Sequence, residues 1–312
     1  VEVLLKDNPS LQADMVVLAI GVTPDTALAK KAGLELGIKE SIVVNDRMET
    51  SVPDIYAAGD AVQVKHYVTG NDALISLAGP ANKQGRIIAD NICGGDSRYL
   101  GSQGSSVIKV FDMTAATTGI NETNAKKSGL EVDTVILSPM SHAGYYPGGK
   151  VMTMKVVFEE KTYRLLGAQI IGYEGVDKRI DVLATAIHAG LKATQLKDLD
   201  LAYAPPYSSA KDPVNMAGFM IDNIAKGTLK QWHLEDMDKI SKDKSAVLLD
   251  VRTVDEFSRG HMDGFKNIPV DELRERINEI EKGKPVYLIC QSGLRSYIAS
   301  RILEGNGYET YN

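Results

Sequence analysis

The sequence of 312 residues has little cysteine, no long apolar run and no run of basic residues. Its two cysteines, Cys93 and Cys290, lie far apart, which argues against a disulfide framework and favours a reducing cytoplasm. The strongest early apolar run, residues 15–20, is far too short to span a bilayer, and no charged segment of a signal peptide precedes it. A net charge of −6 argues against a nucleic-acid surface. We therefore expect a cytoplasmic protein with neither a membrane nor a nucleic acid as its partner.

No G-x-G-x-x-G segment occurs, so the sequence shows no glycine loop of the kind that holds a dinucleotide pyrophosphate. What the chain does have is an ordinary globular composition, with 44% hydrophobic and 24% charged residues. Its length predicts roughly two or three domains. We identify no metal site in the sequence.

Residues 51–60 are the first segment that points to a ligand. The apolar run 55–58 predicts a short buried strand, Gly59 allows a sharp turn, and Asp60 then projects an acceptor from the strand end. Ligands of open α/β sheets bind just outside the carboxyl ends of strands, although an Asp that only closes a turn would show the same pattern. The whole decapeptide resembles the second FAD-binding motif of the flavoprotein disulfide reductases. This resemblance assigns Gly59 and Asp60 to FAD binding.

A helix is predicted over residues 83–93 by its apolar periodicity. Pro80 suits the first turn that leads into it, where the missing N–H is not needed. The resemblance implies that the free N–H groups of Ala81 and Asn82, with the positive end of the helix dipole, stabilise negative charge on the flavin. An ordinary capped surface helix is the alternative. Cys93 is expected to be a small buried residue, because it lacks the cationic setting of a reactive thiol.

Residues 14–21 are predicted as a buried strand, and the Ala-Ile-Gly-Val-Thr-Pro segment at residues 19–24 resembles the closing strand and loop of the NADH domain in the same family. The resemblance places the end of the NADH-binding domain in residues 1–45 and the C-terminal part of the FAD-binding domain in residues 46–104. The family carries two glycine loops and a redox cysteine, which this sequence does not show. We therefore expect a C-terminal fragment, which alone would not catalyse the reductase reaction.

Residues 105–226 are predicted to form an α+β domain. Five apolar or alternating runs predict strands, a helix capped by Asn121 lies among them, and an amphipathic helix over residues 176–189 follows the last. Helices on one face of an antiparallel sheet resemble the dimerisation domain of the flavoprotein disulfide reductases, which implies a homodimer. The five strands are predicted at residues 107–111, 115–118, 132–137, 151–158 and 165–171.

Two tyrosine-containing segments in this domain narrow the subfamily. Residues 141–148 and 202–208 resemble segments of the coenzyme A disulfide reductases, in which a tyrosine from each reaches the partner subunit's active site. By position in these segments the resemblance assigns this role to Tyr145 and Tyr203. The role suits a phenol, which can donate a proton to a sulfur leaving group in a dry cleft. The alternative is that these tyrosines only anchor the dimer interface, where tyrosine is enriched. The substitutes by position are Tyr146 and Tyr207.

A cysteine lies between a predicted strand and a predicted helix near the end of the sequence. The strand over residues 286–289 stops directly before Cys290, and the helix over residues 294–304 begins just after it. Backbone N–H groups and the helix dipole at such a junction lower a thiol pKa from about 8.5 to roughly 3.5–7.5. Gly293 gives the loop room to curl, and Arg295 adds positive charge.

This segment resembles the single-domain rhodanese module, with residues 250–252 and 260–261 as companion signatures. The resemblance makes Cys290 a carrier of sulfane sulfur, with Arg295 beside it. Four residues separate the two, one fewer than in tyrosine-phosphatase loops, so the loop suits a terminal sulfur better than a phosphate. A purely structural cysteine is the remaining alternative. The domain, residues 227–312, looks truncated, and the loop that would hold the persulfide comprises Gln291, Ser292, Gly293 and Leu294.

The expected fold is therefore a multidomain α/β and α+β protein: the end of a two-dinucleotide FAD/NAD(P)-binding fold, an α+β dimerisation domain and an incomplete rhodanese-like α/β domain. The resemblance implies reduction of a coenzyme A disulfide, persulfide or polysulfide with NADH or NADPH through FAD, coupled to sulfur carried on Cys290. A relative of the NADH oxidases with an accessory sulfurtransferase is one alternative, and the Tyr-Ala-Pro-Pro-Tyr segment speaks against it. A non-catalytic, dimerising sulfur carrier is the other.

Overall fold

The computed structural model describes residues 1–312 as two compact units, Val1–Ser102 and Gln103–Asn312. The elements of the first unit are β1 (Glu2–Val3), β2 (Leu11–Gln12), α1 (Ala27–Lys31), β3 (Ile42–Val43), β4 (Val62–Lys65), β5 (Asp72–Ala73) and α2 (Ala78–Ile92), with 3-10 turns at Ile38–Glu40 and Gly59–Ala61. Strand β4 is central in a small mixed sheet, parallel to β3 and antiparallel to β5. Strands β1 and β2 form a separate pair.

The prediction of a buried strand over residues 14–21 is wrong. No strand forms there, and the side chains of Met15, Leu18 and Ile20 are 77%, 82% and 93% exposed. A strand needs a neighbour to pair its backbone N–H and C=O groups and a second layer to cover its side chains. This segment has neither in the structure, so its apolar composition does not make it a strand.

The prediction of a buried strand over residues 55–58 is also wrong. Tyr56 makes one isolated bridge to Glu49, and Asp54 has a left-handed φ of 63°. The turn at Asp54 leaves too little paired backbone for a strand, and Ile55 remains 37% exposed. The core of this unit gathers instead around Met48, Val62 and Val64.

The second unit begins with a five-stranded antiparallel sheet in the order β6-β7-β10-β9-β8. All five predicted strands are present, with ends shifted by no more than two residues. The elements are β6 (Ser106–Val110), β7 (Met113–Gly119), α3 (Glu122–Lys127), β8 (Val132–Leu137), β9 (Met152–Glu159), β10 (Leu165–Gly172), α4 (Val176–His188) and α5 (Pro213–Ala225), with a 3-10 turn at Ala193–Asp198.

Local residues explain where helix α3 of this domain begins and which face of α4 is buried. The side chain of Asn121 accepts a hydrogen bond from the Asn124 N–H (2.8 Å), which confirms it as the cap of α3. On α4, the spacing of Ile180, Leu183 and Ile187 places three buried side chains on one face, and this helix packs on β7 and β10. Fully burying such a side chain contributes about 1.5–3 kcal/mol.

The remainder of the second unit is built on a four-stranded parallel sheet in the order β12-β11-β13-β14. The predicted bounds of the strand before Cys290 and of the helix after it are confirmed. The core between sheet and helices includes Leu249, Leu288, Ala299 and Leu303. The elements are α6 (Met237–Ile240), β11 (Val247–Asp250), α7 (Val254–Ser258), β12 (Lys266–Asn267), β13 (Val286–Ile289), α8 (Leu294–Glu304) and β14 (Thr310–Tyr311), with 3-10 turns at Leu234–Asp236 and Ile277–Glu279.

Within this unit, hydrogen bonds connect the domain of the five-stranded sheet with the domain of the four-stranded sheet. Gln231 donates to both carboxylate oxygens of Asp133 on β8 (3.1 and 3.0 Å), and His233 Nε2 lies 3.1 Å from the same carboxylate. Asn223 on α5 donates to the hydroxyl of Tyr297 on α8 (3.1 Å). The indole N–H of Trp232 donates to the carbonyl of Leu288 on β13 (3.0 Å), so the chain that leaves α5 is fastened to both domains.

The multidomain α/β and α+β class predicted from the sequence is confirmed. The domain boundaries at residues 45, 104 and 226 stay predictions. No helix in the structure combines the length and the apolar character that crossing a membrane would need.

Candidate functional site

Cys290 lies between the end of β13 and the start of α8, and its Sγ accepts hydrogen bonds from the loop and from α8. The N–H of Gly293 donates at 3.1 Å and the hydroxyl of Ser296 at 3.3 Å. Gly293 has a φ of 88°, in the left-handed region that favours glycine, and this conformation turns the loop back over the sulfur. The predicted junction of strand, cysteine and helix is therefore present.

The Cys290 thiol is poised to ionise. Burial raises its pKa, but hydrogen bonds from the Ser296 hydroxyl and from the backbone N–H groups of Ser296, Ser292 and Gly293 outweigh burial, so the pKa lies below the ordinary value of a cysteine. The thiolate, which is the nucleophilic form, is thus favoured in the folded protein. Ser296 is a buried residue in the first turn of α8, and the sequence reasoning missed it.

The guanidinium of Arg295 is held by a carboxylate. Its two terminal nitrogens donate to the two oxygens of Glu256, each at 2.7 Å. Glu256 also accepts from Thr253 in the capping box of α7 (2.9 Å to its N–H), so the pair connects two helix starts. This bidentate contact lowers the pKa of Glu256 and offsets the positive charge that Arg295 was expected to bring. A direct role of Arg295 toward sulfur stays a prediction.

The four residues predicted to hold a persulfide form the mouth of this site. Gln291, Ser292 and Leu294 are exposed, whereas Gly293 is half-buried. The backbone N–H of Gly293 donates to the sulfur at 3.1 Å, and hydrogen bonding by the Ser292 N–H also lowers the pKa of Cys290. The same donors could hold a second sulfur attached to Sγ.

The companion signature at residues 250–252 forms a hydrogen-bonded cluster at the end of β11. Asp250 is fully buried and accepts a bidentate hydrogen bond from Arg252 (2.9 and 2.6 Å to Oδ2). Arg252 also donates to the backbone carbonyl of Gly260 (2.9 Å), and the ring of His261 stacks on Phe257. These residues fasten β11 to the segment after α7.

Tyr145 and Tyr203 are brought together by the fold. Their hydroxyl oxygens lie 2.7 Å apart although the residues are separated by 58 positions, and both side chains are largely exposed. The hydrogen bond to Tyr145 raises the pKa of Tyr203 above the usual value of a phenol. The substitutes differ in position: Tyr146 packs edge-on against His142, and Tyr207 lines a cavity next to Tyr203.

That cavity has a volume of about 560 Å³ and lies beside the tyrosine pair. Its wall includes the buried guanidinium of Arg179, a residue that the sequence reasoning missed. An arginine on the buried face of an amphipathic helix is the signal that could have found it. The lining side chains include Ser141, His142, Lys178, Arg179, Tyr203 and Tyr207.

The two segments assigned to FAD meet in the first unit. The N–H of Gly59 donates to the side chain of Gln84 on α2 (2.7 Å), and Gly59 has a φ of 84°. This contact places the turn that carries Asp60 against the first turns of α2, with the Asp60 side chain exposed. Gln84 is buried and was missed by the sequence reasoning.

The prediction that Ala81 and Asn82 offer free N–H groups is corrected. Helix α2 begins at Ala78, five residues before the predicted start, and the Ala81 N–H donates to the carbonyl of Leu77 (3.2 Å). Pro80 does lie in the first turn, as expected. The N–H groups without an intrahelical partner are those of Ala78 and Gly79, and no side chain caps them.

The prediction that Cys93 is buried is wrong. The residue is exposed at the C-terminal end of α2. The apolar side chain of Ile92 beside it is also 64% exposed, so the apolar end of the helix is not covered in this structure.

Comparison with known proteins finds three families along the chain. Residues 1–85 match the family described as pyridine nucleotide-disulphide oxidoreductase, residues 105–213 match the dimerisation domain of the same name, and residues 233–312 match the rhodanese-like domain.

Curated relatives match more than two thirds of the chain. The NAD(P)H sulfur oxidoreductase (CoA-dependent) of Pyrococcus furiosus is 38% identical over 214 residues, covering 69% of this chain and 48% of that protein. The coenzyme A disulfide reductase of Staphylococcus aureus is 34% identical over 219 residues, with 70% and 50% covered. The chain therefore spans about half the length of the curated relatives that it matches.

Two solved structures match nearly the whole chain. The crystal structure of reduced Bacillus anthracis CoADR-RHD superposes with a TM-score of 0.95 at 47% identity, covering 100% of this chain and 56% of that one. The NAD-dependent persulfide reductase from A. fulgidus superposes with a TM-score of 0.88 at 42% identity, with 97% and 55% covered.

Proposed function

Because the chain belongs to the pyridine nucleotide-disulphide oxidoreductase family and carries a rhodanese-like domain, we propose that its protein reduces coenzyme A disulfides or persulfides with NAD(P)H. In this proposal Cys290 carries sulfane sulfur to or from the reductase centre. The names of the P. furiosus relative and of the A. fulgidus structure support the same substrate class. The unpaired cysteines fit a reducing cytoplasm, where we place the protein.

The observation that carries the proposal is the Cys290 loop. Its thiolate attacks the outer sulfur of a donor R–S–S⁻, and a new S–S bond forms at Sγ. The S–S bond of the donor breaks, and the thiolate R–S⁻ leaves with the electron pair. The N–H of Gly293 and the hydroxyl of Ser296, which now donate to Sγ, lie where they can stabilise the persulfide. A thiolate or polysulfide acceptor then takes up the outer sulfur.

The first unit fits the flavin that this family uses. FAD would relay electrons from the nicotinamide to the disulfide or persulfide bond. Asp60 offers an exposed carboxylate to a ribityl hydroxyl or a phosphate-bound water. The uncapped N–H groups of Ala78 and Gly79 offer the positive end of α2 to a negatively charged ring or an acceptor oxygen. These groups bind and orient the cofactor in the proposal, in place of Ala81 and Asn82.

The tyrosine pair supplies the proton donors in the proposal. The dimerisation-domain match supports a homodimer, and we propose that Tyr145 and Tyr203 reach the active site of the partner subunit. One phenol donates to the sulfur that leaves, while the other holds the donor in place through the 2.7 Å contact. Both hydroxyls are available, because the side chains are 77% and 45% exposed in the single chain.

Intact mass after treatment with polysulfide or thiosulfate tests the sulfur-transfer part in the native protein. We expect one added sulfur, which disappears in Cys290→Ser and persists in the matched control Cys93→Ser. Because Cys93 is exposed, this control is needed. A label that follows Cys93, or phosphate-ester hydrolysis that depends on Cys290, would overturn the assignment.

NAD(P)H oxidation with coenzyme A disulfide or persulfide under exclusion of oxygen tests the reductase part. Turnover that tracks the sulfur substrate supports the proposal. Turnover that requires oxygen and ignores the sulfur substrate would place the protein with the NADH oxidases instead.

A further inference from the structure

The two tyrosine segments are loops, and neither carries regular structure that would fix its tyrosine. Tyr145 lies in the connection between β8 and β9, and Tyr203 lies between the Ala193–Asp198 turn and α5. Holding two catalytic groups in one geometry removes an entropic cost from the reaction, so something must order these loops before the substrate binds. The contact between the two hydroxyls is itself exposed and too weak to do this.

Arg179 connects both loops from inside the protein. It is 1% exposed on α4, and its Nη2 donates to the carbonyl of Ser141 (2.9 Å) and to the hydroxyl of Ser208 (3.1 Å). Ser141 precedes Tyr145 by four residues, and Ser208 follows Tyr203 by five. One guanidinium therefore bonds to both loops within a few residues of the two phenols.

Asp212 holds this guanidinium in place. Its Oδ2 accepts from Nη2 and Nε of Arg179 (2.9 and 3.1 Å) and from the hydroxyl of Ser208 (2.6 Å). Its Oδ1 caps α5 by accepting from the N–H of Val214 (3.0 Å). The planar fork of an arginine can make these bonds together with those to the loops, whereas the compact ammonium of a lysine cannot.

The neighbouring backbone is shaped for the same arrangement. The Ala143 N–H donates to the Ser208 carbonyl (3.0 Å), so the loops also touch directly. A Cβ added to Gly175 would lie 2.1 Å from Arg179 Nη1, and Gly175 has a φ of 68°. Glycine at this position therefore leaves the space that the guanidinium occupies, and its carbonyl accepts a further bond from Nη1 (3.1 Å).

We propose that Arg179, held by Asp212, is the positioning residue that keeps Tyr145 and Tyr203 within hydrogen-bonding contact. A buried ion pair adds little net stability compared with apolar residues of similar volume, so stability alone is a weak reason for this pair. What the pair supplies is a fixed distance between two loops. This inference rests on the proposed role of the tyrosines in catalysis, but the contact between them can be measured without turnover.

The test uses the native protein with 3-fluorotyrosine at position 203, whose ionisation is followed by fluorine NMR against pH. Tyr145→Phe removes the hydroxyl that contacts Tyr203. This variant therefore gives the titration midpoint of Tyr203 without that hydrogen bond. We expect Arg179→Lys to move the titration midpoint in the same direction, toward that of an ordinary phenol. Turnover should fall by roughly 10–100-fold, as a misplacement of about 1 Å does.

Leu183→Ala is the matched control. Leu183 is fully buried on the same helix, and its apolar side chain makes no hydrogen bond to the loops. Its truncation should lower the melting temperature and leave the Tyr203 midpoint unchanged. A midpoint that moves as far in Leu183→Ala as in Arg179→Lys would overturn the proposal, because general loosening would then explain it. A folded Arg179→Lys with an unchanged midpoint would also overturn it.

Asp212→Asn keeps the test decisive if Arg179→Lys does not fold. This change retains the size of the side chain and the oxygen that caps α5, and removes the charge that holds the guanidinium. We expect the same direction of shift in the midpoint, and an unchanged midpoint would refute the inference. Absence of any reductase turnover in the native protein would refute the proposed function, while the midpoints would still decide the role of Arg179.

Discussion

The Cys290 loop and the Tyr145–Tyr203 pair are two candidate sites in one compact unit, and they are assembled in opposite ways. The donors to the Cys290 sulfur come from Gly293 and Ser296, within six residues along the chain. The two phenols come from loops 58 positions apart and meet over a buried arginine from a third segment. The first site is local, and the second is made by packing.

This difference determines how each site can fail. A local loop keeps its geometry as long as one strand and one helix keep theirs, so a substitution there should change chemistry before it changes structure. A pair assembled from distant loops depends on every contact that joins them. Substitutions at the second site should therefore have the larger effects.

Removing one phenol should have the largest effect of this series. We expect Tyr203→Phe and Tyr145→Phe each to lower turnover of a coenzyme A disulfide or persulfide by roughly 10²–10⁴, because a general acid is lost while the ring packing remains. Steady-state kinetics of the native dimer measures this, with size-exclusion chromatography to show that the dimer persists. Wild-type turnover in both variants would leave the tyrosines as interface residues only.

The turn that carries Asp60, proposed to bind flavin, is a second local motif whose loss should change ligand binding. We expect Asp60→Ala to weaken flavin retention by about 10–100-fold, since a hydrogen bond to a charged group contributes about 1.5–3 kcal/mol. Flavin absorbance after dialysis of the native protein measures the loss. Asp25→Ala, which alters another exposed carboxylate of the same unit, is the control. Equal occupancy in wild type and Asp60→Ala would contradict the assignment.

Ser296→Ala should sharpen the local side of the comparison. The Ser296 hydroxyl is one of the donors that lower the pKa of Cys290, so its loss raises that pKa and moves the thiol's alkylation profile to higher pH. Near neutral pH the alkylation rate should fall by about tenfold, the effect of losing one charge-assisted hydrogen bond. Ser300→Ala, one turn further along α8 and bonded only to the Tyr297 carbonyl, is the control. A shift in both variants would mean that the helix, and not the hydroxyl, sets the pKa.

The contact between His233 and Asp133, which joins the domains that hold the two sites, should have the smallest effect. The hydrogen bond to Asp133 raises the pKa of His233. Its contribution is therefore fully present below the unfolded pKa of about 6.5 and is lost as pH rises through the higher folded value. Because the pair is partly exposed, we expect His233→Gln to cost only about 0.2–1 kcal/mol on the acidic side of that window.

Thermal unfolding of His233→Gln and wild type, each measured on both sides of the histidine titration, checks this expectation. The difference in melting temperature should be larger at the lower pH and should nearly vanish at the higher. A difference that does not change with pH would mean that the contact acts through packing and not through charge. His188→Gln, a histidine exposed at the end of α4, serves as the comparison variant.

Several elements could be predicted from residues close in sequence. The strand Val286–Ile289 and the helix Leu294–Glu304 were predicted with their observed bounds, because an apolar strand, a glycine turn and a helix start follow one another without interruption. The cap of α3 by Asn121 followed from the same kind of local pattern. Each of these elements satisfies its backbone within a few residues.

The predictions failed where contacts with distant segments determine whether a residue is buried or paired. Residues 14–21 have the composition of a buried strand but no neighbour in the structure, and Cys93 lies at an apolar helix end that nothing covers. Helix α2 begins five residues before the predicted start, because the apolar periodicity marks only residues 83–93 and residues 78–82 lack it. Local composition cannot report which surface another segment will cover.

The sequence by itself determined the strand and helix that flank Cys290 and the cap of α3, because the groups that make them are close together in the chain. Only the tertiary structure showed that Tyr145 touches Tyr203, that Glu256 holds Arg295, and that Arg179 ties two loops together. A guanidinium donates to the acceptors that the fold brings near it, and the two loop acceptors, Ser141 and Ser208, lie 38 and 29 residues away from Arg179 along the chain. Such contacts leave no local pattern, because burial and pairing are properties of the packed molecule.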